Sequence, residues 1–438
     1  MRRIVRSFTP LSTFSAQSAS SLSFITAHEV GVLNDQRCSR ITNETYYHKL
    51  SQTKLTNNSK IPILLTPGPL TCSPVIKQEM MVDYGSRDKK FTNIIHNIRT
   101  KLLDISNIDK SVYTVVLIPG SGTYGVESTI TSSVPSNGKI AILSNGAYGV
   151  RMTQITKINK IDYLHIERKN NERITKDIVR DTLNQNNGIT HIAVVHHETT
   201  TGILNPIDEI ANEVQLYNET NNKSVKLIVD AMSSYGGIEI DFSNKNIDFL
   251  ISSSNKCIES VPGFSFVIAK KSSLMETNGI ERSLSLALYS QWKNMETTQQ
   301  FRFTPPTHSL VAFNSALEML IKEGGIEARN NRYVKYNNLI RDRMNAMGFI
   351  PYLKENYGCI ITTFYYPTPD FYYPTPDFDF EKFYTLLSEN GVVIYPGKLS
   401  DEKVFRIGNI GNISLIEMNN ALDIIEKVTK EHFLPQSC

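Results

Sequence analysis

Residues 225–232 read VKLIVDAM and residues 249–256 read FLISSSNK, and these two stretches decide the fold. Each is a continuous apolar run that ends in polar groups, without the alternation of a strand wetted on one face. Such runs suit strands buried on both faces of a sheet. Four more follow the pattern: YTVVLIP at 113–119, KIAILSN at 139–145, HIAVVHH at 191–197 and FSFVIA at 264–269. Segments with helical spacing lie between several of them. In IDEIANEVQLY at 207–217, Ile207, Ile210, Ala211, Val214 and Tyr217 share one face. Strand, helix and strand in alternation predict an α/β architecture, a mostly parallel central sheet flanked by helices. Past residue 325 the pattern changes to a long helix through 330–347, strands around 358–364, 392–395 and 404–407, and helices near 380–387 and 414–430. A large domain over 61–325 and a smaller C-terminal α+β domain over 326–438 are therefore expected.

Composition narrows the function classes. At 438 residues, 40% hydrophobic and 20% charged, the chain suits a globular enzyme of more than one domain. No stretch is apolar enough for a membrane span. A net charge of +3, with no basic stripe interleaved with aromatics, argues against nucleic acid as a partner. Cys38, Cys72, Cys257, Cys359 and Cys438 are scattered without a CxxC pair, so neither a disulfide framework nor a metal site is expected. Cys257 reads either as a reactive thiol or, more ordinarily, as a small buried filler. Residues 1–30 carry Arg2, Arg3 and Arg6, are rich in Ser and Thr, and hold no acid before Glu29. That is the pattern of a mitochondrial presequence, with a plain tail and a cytoplasmic chain as the alternative. Residues 31–60 read as a polar linker. A tandem repeat, YYPTPDF at 365–371 and again at 372–378, has too much proline for a central strand or helix interior, and predicts a lengthened surface loop.

A pyridoxal-phosphate enzyme needs a lysine to hold the cofactor, an acid for its ring nitrogen, a phosphate cup and an aromatic plate. Each has a candidate. Lys256 follows a buried strand at the edge where α/β sheets place ligands. It could equally be a solvated strand-end lysine. Asp230 ends LIVD, so its carboxylate would emerge from a hydrophobic strand and need a cationic partner. The alternative is a capping role before Ser233 and Ser234. Gly120, Ser121, Gly122 and Thr123 lie between a strand and a helix starting near Tyr124, where backbone amides, hydroxyls and the helix dipole can receive a phosphate. Tyr148, in NGAYG after the next strand, is the plate or a surface turn tyrosine. His196 and His197 precede Glu198, Thr199, Thr200 and Thr201; too few ligands cluster for a metal, so the hydroxyls are expected near the cofactor with the histidines behind them.

With these pieces in place the sequence resembles the 2-aminoethylphosphonate–pyruvate aminotransferases of the class V, fold-type I group. The matching blocks run in order: LLTPGPLT (64–71), DYGSRD (83–88), GSGTYGVE (120–127), SNGAYG (144–149), ETTTGILNP (198–206), VDAMSSYGG (229–237), SSNK (253–256), VPGF (261–264), FTPPTH (303–308), YPGKL (395–399) and FRIGNIG (405–411). The resemblance implies pyridoxal 5'-phosphate as cofactor, with Lys256 as its Schiff-base lysine and Asp230 as partner of its pyridinium. Ser121, Gly122 and Thr123 match the phosphate cup, Tyr148 the stacking ring and Thr199 a hydroxyl near the cofactor. Thr304 matches a threonine reaching the phosphate from a neighbouring subunit, which implies a homodimer with composite sites. Arg406 matches the arginine that grips the acidic end of the substrate, and Gly68 lines the same pocket. The implied reaction moves an amino group from 2-aminoethylphosphonate to pyruvate, giving phosphonoacetaldehyde and L-alanine. Alanine–glyoxylate and serine–pyruvate aminotransferases share the same apparatus and remain alternatives, as do a cysteine desulfurase, for which neither Cys359 nor Cys438 stands out, and a silent scaffold protein.

Overall fold

The computed structural model describes residues 61–244, 246–367, 378–399 and 402–433. Its centre is a seven-stranded sheet in the order Tyr113–Pro119, Phe264–Lys270, Phe249–Ser253, Lys226–Asp230, Ile189–Val195, Lys139–Ser144, Asp162–Glu167. Phe264–Lys270 runs antiparallel to both neighbours, and the other pairs are parallel. The expected architecture is what forms: a mostly parallel sheet with helices on both faces.

Alternation explains why these runs become central strands. Leu227 and Val229 join one apolar cluster, while Ile228 between them joins the cluster on the opposite face. Leu250 and Ile251 divide the same way, as do Phe266 and Val267. Successive strand side chains point to opposite faces, so a run apolar at every position is stable only between two layers.

Beyond the sheet lie the helices Thr307–Glu323 and Gly325–Ala346 and an antiparallel sheet ordered Ile361–Tyr365, Val404–Gly408, Tyr395–Pro396. Helices Phe380–Glu389 and Leu415–His432 pack with it around Phe364, Phe383 and Phe405. The long helix begins five residues before the expected 330. Gly324, with φ of +115°, ends one helix and starts the next, so no Ser, Thr or Asp cap announces the boundary. The chain enters this layer early: Ile63–Leu64 pairs in parallel with Val392–Val393, and Gly408 N donates to the Leu65 carbonyl. The TPGPLT loop follows directly, delivered by this pairing to the mouth of the main sheet.

No helix among the described residues is long and apolar enough to cross a membrane. The presequence-like stretch at 1–30, the linker at 31–60 and most of the YYPTPDF repeat lie outside the described residues.

Candidate active site

The parallel strands end on one side of the sheet, and a cleft opens there, lined by Ser121, Thr123, Tyr148, Arg151, Asp230 and Lys256 among others. Lys256 Nζ donates to the carbonyls of Pro67 (2.8 Å) and Gly68 (3.1 Å). Gly68 has φ of +103°, and a Cβ there would lie 2.6 Å from the Asn255 carbonyl oxygen and 2.8 Å from Lys256 Cδ. Only glycine lets the loop pass this close to the lysine. Burial holds the Lys256 ammonium below its usual pKa, with Tyr148 opposing that shift and the charges of Lys398 and Arg406 adding to it. Burial thus makes the free amine, the form that forms bonds to carbon, easier to reach than in an exposed lysine.

Asp230 is buried at the end of its strand, and Met232 N donates to its Oδ1 at 2.9 Å. The capping reading is therefore met in part: one oxygen staples the following turn. Burial pushes the carboxyl up to about 6; the Met232 hydrogen bond resists this, the neighbouring Glu198 adds to it, and Arg151 and Lys256 pull the other way. A carboxyl raised in this way has capacity left for a cation.

The helix Gly122–Ser133 opens toward the cleft with Ser121 as N-cap, and the Ser121 side chain makes no capping hydrogen bond. Its amides and dipole are available to an anion. A Cβ on Gly122 would sit 2.3 Å from Met232 Sδ, so the cup closes only around glycine. An open helix N-terminus, a raised buried acid and a lysine whose ammonium form is disfavoured by burial, in one cleft, fit the phosphate, ring nitrogen and aldehyde of pyridoxal phosphate.

Tyr148 lines the same cleft and is the meeting point of several groups. Lys398 Nζ donates to its hydroxyl at 2.9 Å and stands 4.6 Å from the ring centroid. Burial alone would raise the phenol; hydrogen bonds with Lys398 and Thr199 and the charges of Lys398 and Lys256 outweigh it and lower it. Arg406 is almost wholly buried, donating from Nε to the Pro396 carbonyl (3.0 Å) and from Nη1 to the Thr199 carbonyl (3.1 Å). Burial lowers its pKa, against the opposing influence of Tyr148, Glu198 and Tyr395. Arg406 and Thr199, 207 residues apart in sequence, thus share one corner with the plate tyrosine.

Gly68, Thr199, Arg406 and Thr304 are not among the residues lining the cleft. Gly68 packs on Lys256 and Thr199 meets Arg406, whereas Thr304 lies exposed in the loop before Thr307–Glu323. His196 and His197 sit behind the site as expected: His196 Nδ1 meets Ser234 Oγ at 2.9 Å, and His197 lies 3.1 Å from the Gly202 carbonyl. Burial drives them down to about 3 and about 4, so both are neutral. Among the described residues no His, Cys, Asp or Glu group is arranged to hold a metal. Cys257 is fully buried and its thiol is pushed up by burial, as a filler's would be.

Three residues escaped the sequence reading. Arg151 lies 4.9 Å over the Tyr148 ring and donates to Thr123 Oγ1 at 3.3 Å. Its signal was present, because i and i+3 on one helix share a face. Glu198 receives the Tyr148 amide at 3.0 Å and the Thr200 amide at 3.0 Å, capping Ala147–Ile158 where Gly146 offers no side chain. Lys398 was quoted within YPGKL without a role, since nothing local ties it to Tyr148.

The chain matches the Aminotransferase class-V family over residues 80–417, and it belongs to that family. A 2-aminoethylphosphonate–pyruvate transaminase of Bacteroides fragilis is 45% identical over 368 residues, 83% of this chain and 98% of the relative. One from Bacillus cereus is 45% identical over 367 residues, covering 83% and 97%. Among solved structures, pyridoxamine–pyruvate aminotransferase from Mesorhizobium loti superimposes with a TM-score of 0.75 at 24% identity, covering 85% of this chain and 93% of its own. Alanine–glyoxylate aminotransferase from Nostoc sp. gives 0.76 at 21% identity, covering 85% and 96%. These two establish the shared fold.

Proposed function

We propose that this chain is a pyridoxal-phosphate-dependent transaminase that moves the amino group of 2-aminoethylphosphonate to pyruvate. The observation that carries the reading is the convergence of Lys256, Asp230 and the uncapped helix N-terminus in one cleft, with Arg406 buried beside it. The printed activity of relatives at 45% identity supports the substrate pair.

Pyridoxal 5'-phosphate, when bound, supplies an electron sink for the charge that develops at the amino-bearing carbon. Ser121, Gly122, Thr123 and Arg151 would hold its phosphate, Tyr148 and Thr199 would flank its ring, and Asp230 would pair with its protonated ring nitrogen. Lys256 Nζ would hold its aldehyde carbon, and the lysine amine is the group placed to take up and return a proton, as base and then acid. Arg406 orients the acidic end of each substrate, because a guanidinium fork suits carboxylate and phosphonate alike. The exposed loop at 303–304, with Phe303 51% exposed beside Thr304, supports a homodimer in which Thr304 reaches the partner's phosphate cup. Residues 1–30 support delivery to the mitochondrial matrix, which an import assay would check.

The deciding experiment mixes purified chain, pyridoxal phosphate and pyruvate with a panel of amino donors and measures alanine. Fastest turnover with 2-aminoethylphosphonate is expected. Turnover confined to serine, or to alanine with glyoxylate in place of pyruvate, would overturn the assignment.

A further inference from the structure

We infer that Lys398 is a specificity-determining residue: with Arg406 it forms a two-cation clamp that reads the second negative charge of a phosphonate, a charge a carboxylate lacks. The inference rests on the substrate reading above. Arg406 is committed on two sides, with Nε on the Pro396 carbonyl and Nη1 on the Thr199 carbonyl. One guanidinium held this way balances one negative charge. Lys398 follows Pro396 by two residues, on the loop leaving the short strand Tyr395–Pro396 that pairs with the Arg406 strand. The loop beyond that strand, rather than the strand register, carries the Lys398 ammonium to the Tyr148 hydroxyl.

Their common neighbour is Tyr148. Lys398 Nζ lies 2.9 Å from its hydroxyl, and Tyr148 is the first group that opposes the effect of burial on the Arg406 guanidinium. Both charges reach Lys256 as well, each disfavouring its ammonium form. The Tyr148 phenol thus takes a hydrogen bond from one cation and lies within the electrostatic reach of Arg406 and the reactive amine. An acidic head with two negative charges and three oxygens can engage both cations together, while a carboxylate satisfied by Arg406 gains little from Lys398. Lys398 is otherwise solvent-exposed, so no packing role accounts for the contact.

The test compares ethylphosphonate with propionate as competitive inhibitors of the alanine half-reaction, in the wild-type holoenzyme, Lys398→Gln and Lys398→Arg. This assay does not require 2-aminoethylphosphonate to be the amino donor, so it separates failure of this inference from failure of the substrate assignment. Losing one charge-assisted bond is expected to weaken ethylphosphonate by about tenfold to a hundredfold, with propionate changing less than about threefold. Lys398→Arg restores most of the difference, and the amount of cofactor bound per chain stays unchanged. Equal losses for both inhibitors, or no loss for ethylphosphonate, would overturn the clamp.

Discussion

Two buried clusters of charge lie three residues apart along the chain, one around Lys256 and one around Glu259, and they are opposite in kind. Glu259 accepts from Arg332 Nη2 at 2.9 Å, the Tyr333 hydroxyl at 2.6 Å and the Gly411 amide at 2.9 Å. Arg329 and Arg332 also share Glu323, at 2.5 and 2.7 Å. Burial alone would raise Glu323, yet the two guanidiniums hold it below the usual carboxylate range. In the cleft the shifts run the other way: Asp230 is raised and Lys256 lowered, each first of all by burial. The first cluster is balanced from within and ties helices Thr307–Glu323 and Gly325–Ala346 to the Lys256 loop. The second has capacity to spare, and that spare capacity is what a cofactor and substrate use. Buried charge by itself says nothing about function; whether its partners are already present does.

The comparison can be broken most severely at Lys256. Replacing it with Ala is expected to lower turnover by roughly four orders of magnitude, since both attachment and proton transfer are lost; alanine formation from 2-aminoethylphosphonate and pyruvate measures it. Glu259→Ala removes the centre of the balanced cluster and leaves buried donors unpaired. A stability loss of about 3–5 kcal/mol in denaturant unfolding is expected.

Asp230→Asn sharpens the contrast because its sign should reverse between states. An acid whose folded pKa is raised from 3.8 to about 6 destabilises the fold when ionised. The penalty is absent below pH 3.8, grows up to about pH 6 and is constant above, reaching at most roughly 3 kcal/mol. The cofactor-free Asn variant should therefore melt above the wild type at pH 8 and match it at pH 3.5, while turnover of its cofactor-loaded form falls at least about a hundredfold. A cofactor-free variant less stable at pH 8 would refute the idea of spare capacity. Smallest is Cys257→Ala, expected to cost on the order of 1 kcal/mol for a small cavity and to leave transamination intact. Lost activity would revive a catalytic thiol.

Much of this site was legible beforehand because α/β sheets present ligand-binding groups where their strands end. Asp230 and Lys256 are marked by the apolar runs they close, and the cup by glycines between a strand and a helix. Gly68 could be placed near the pocket from its motif, but its packing against Lys256 required coordinates. Arg151 was hidden in plain spacing, one turn after Tyr148. Lys398 was not recoverable, since its partner hydroxyl lies 250 residues away and no local pattern encodes that pairing.

The amino-acid sequence by itself determined which segments become buried strands, where glycine must bend the chain, and which residue types stand at the strand ends. These depend on periodicity and backbone sterics, which act between near neighbours along the chain. Only the tertiary structure decided which buried charges are already paired and which await a ligand. Desolvation and Coulomb energy depend on distance through space and on what fills it, so Lys256 and Glu259, neighbours in sequence, came to opposite roles.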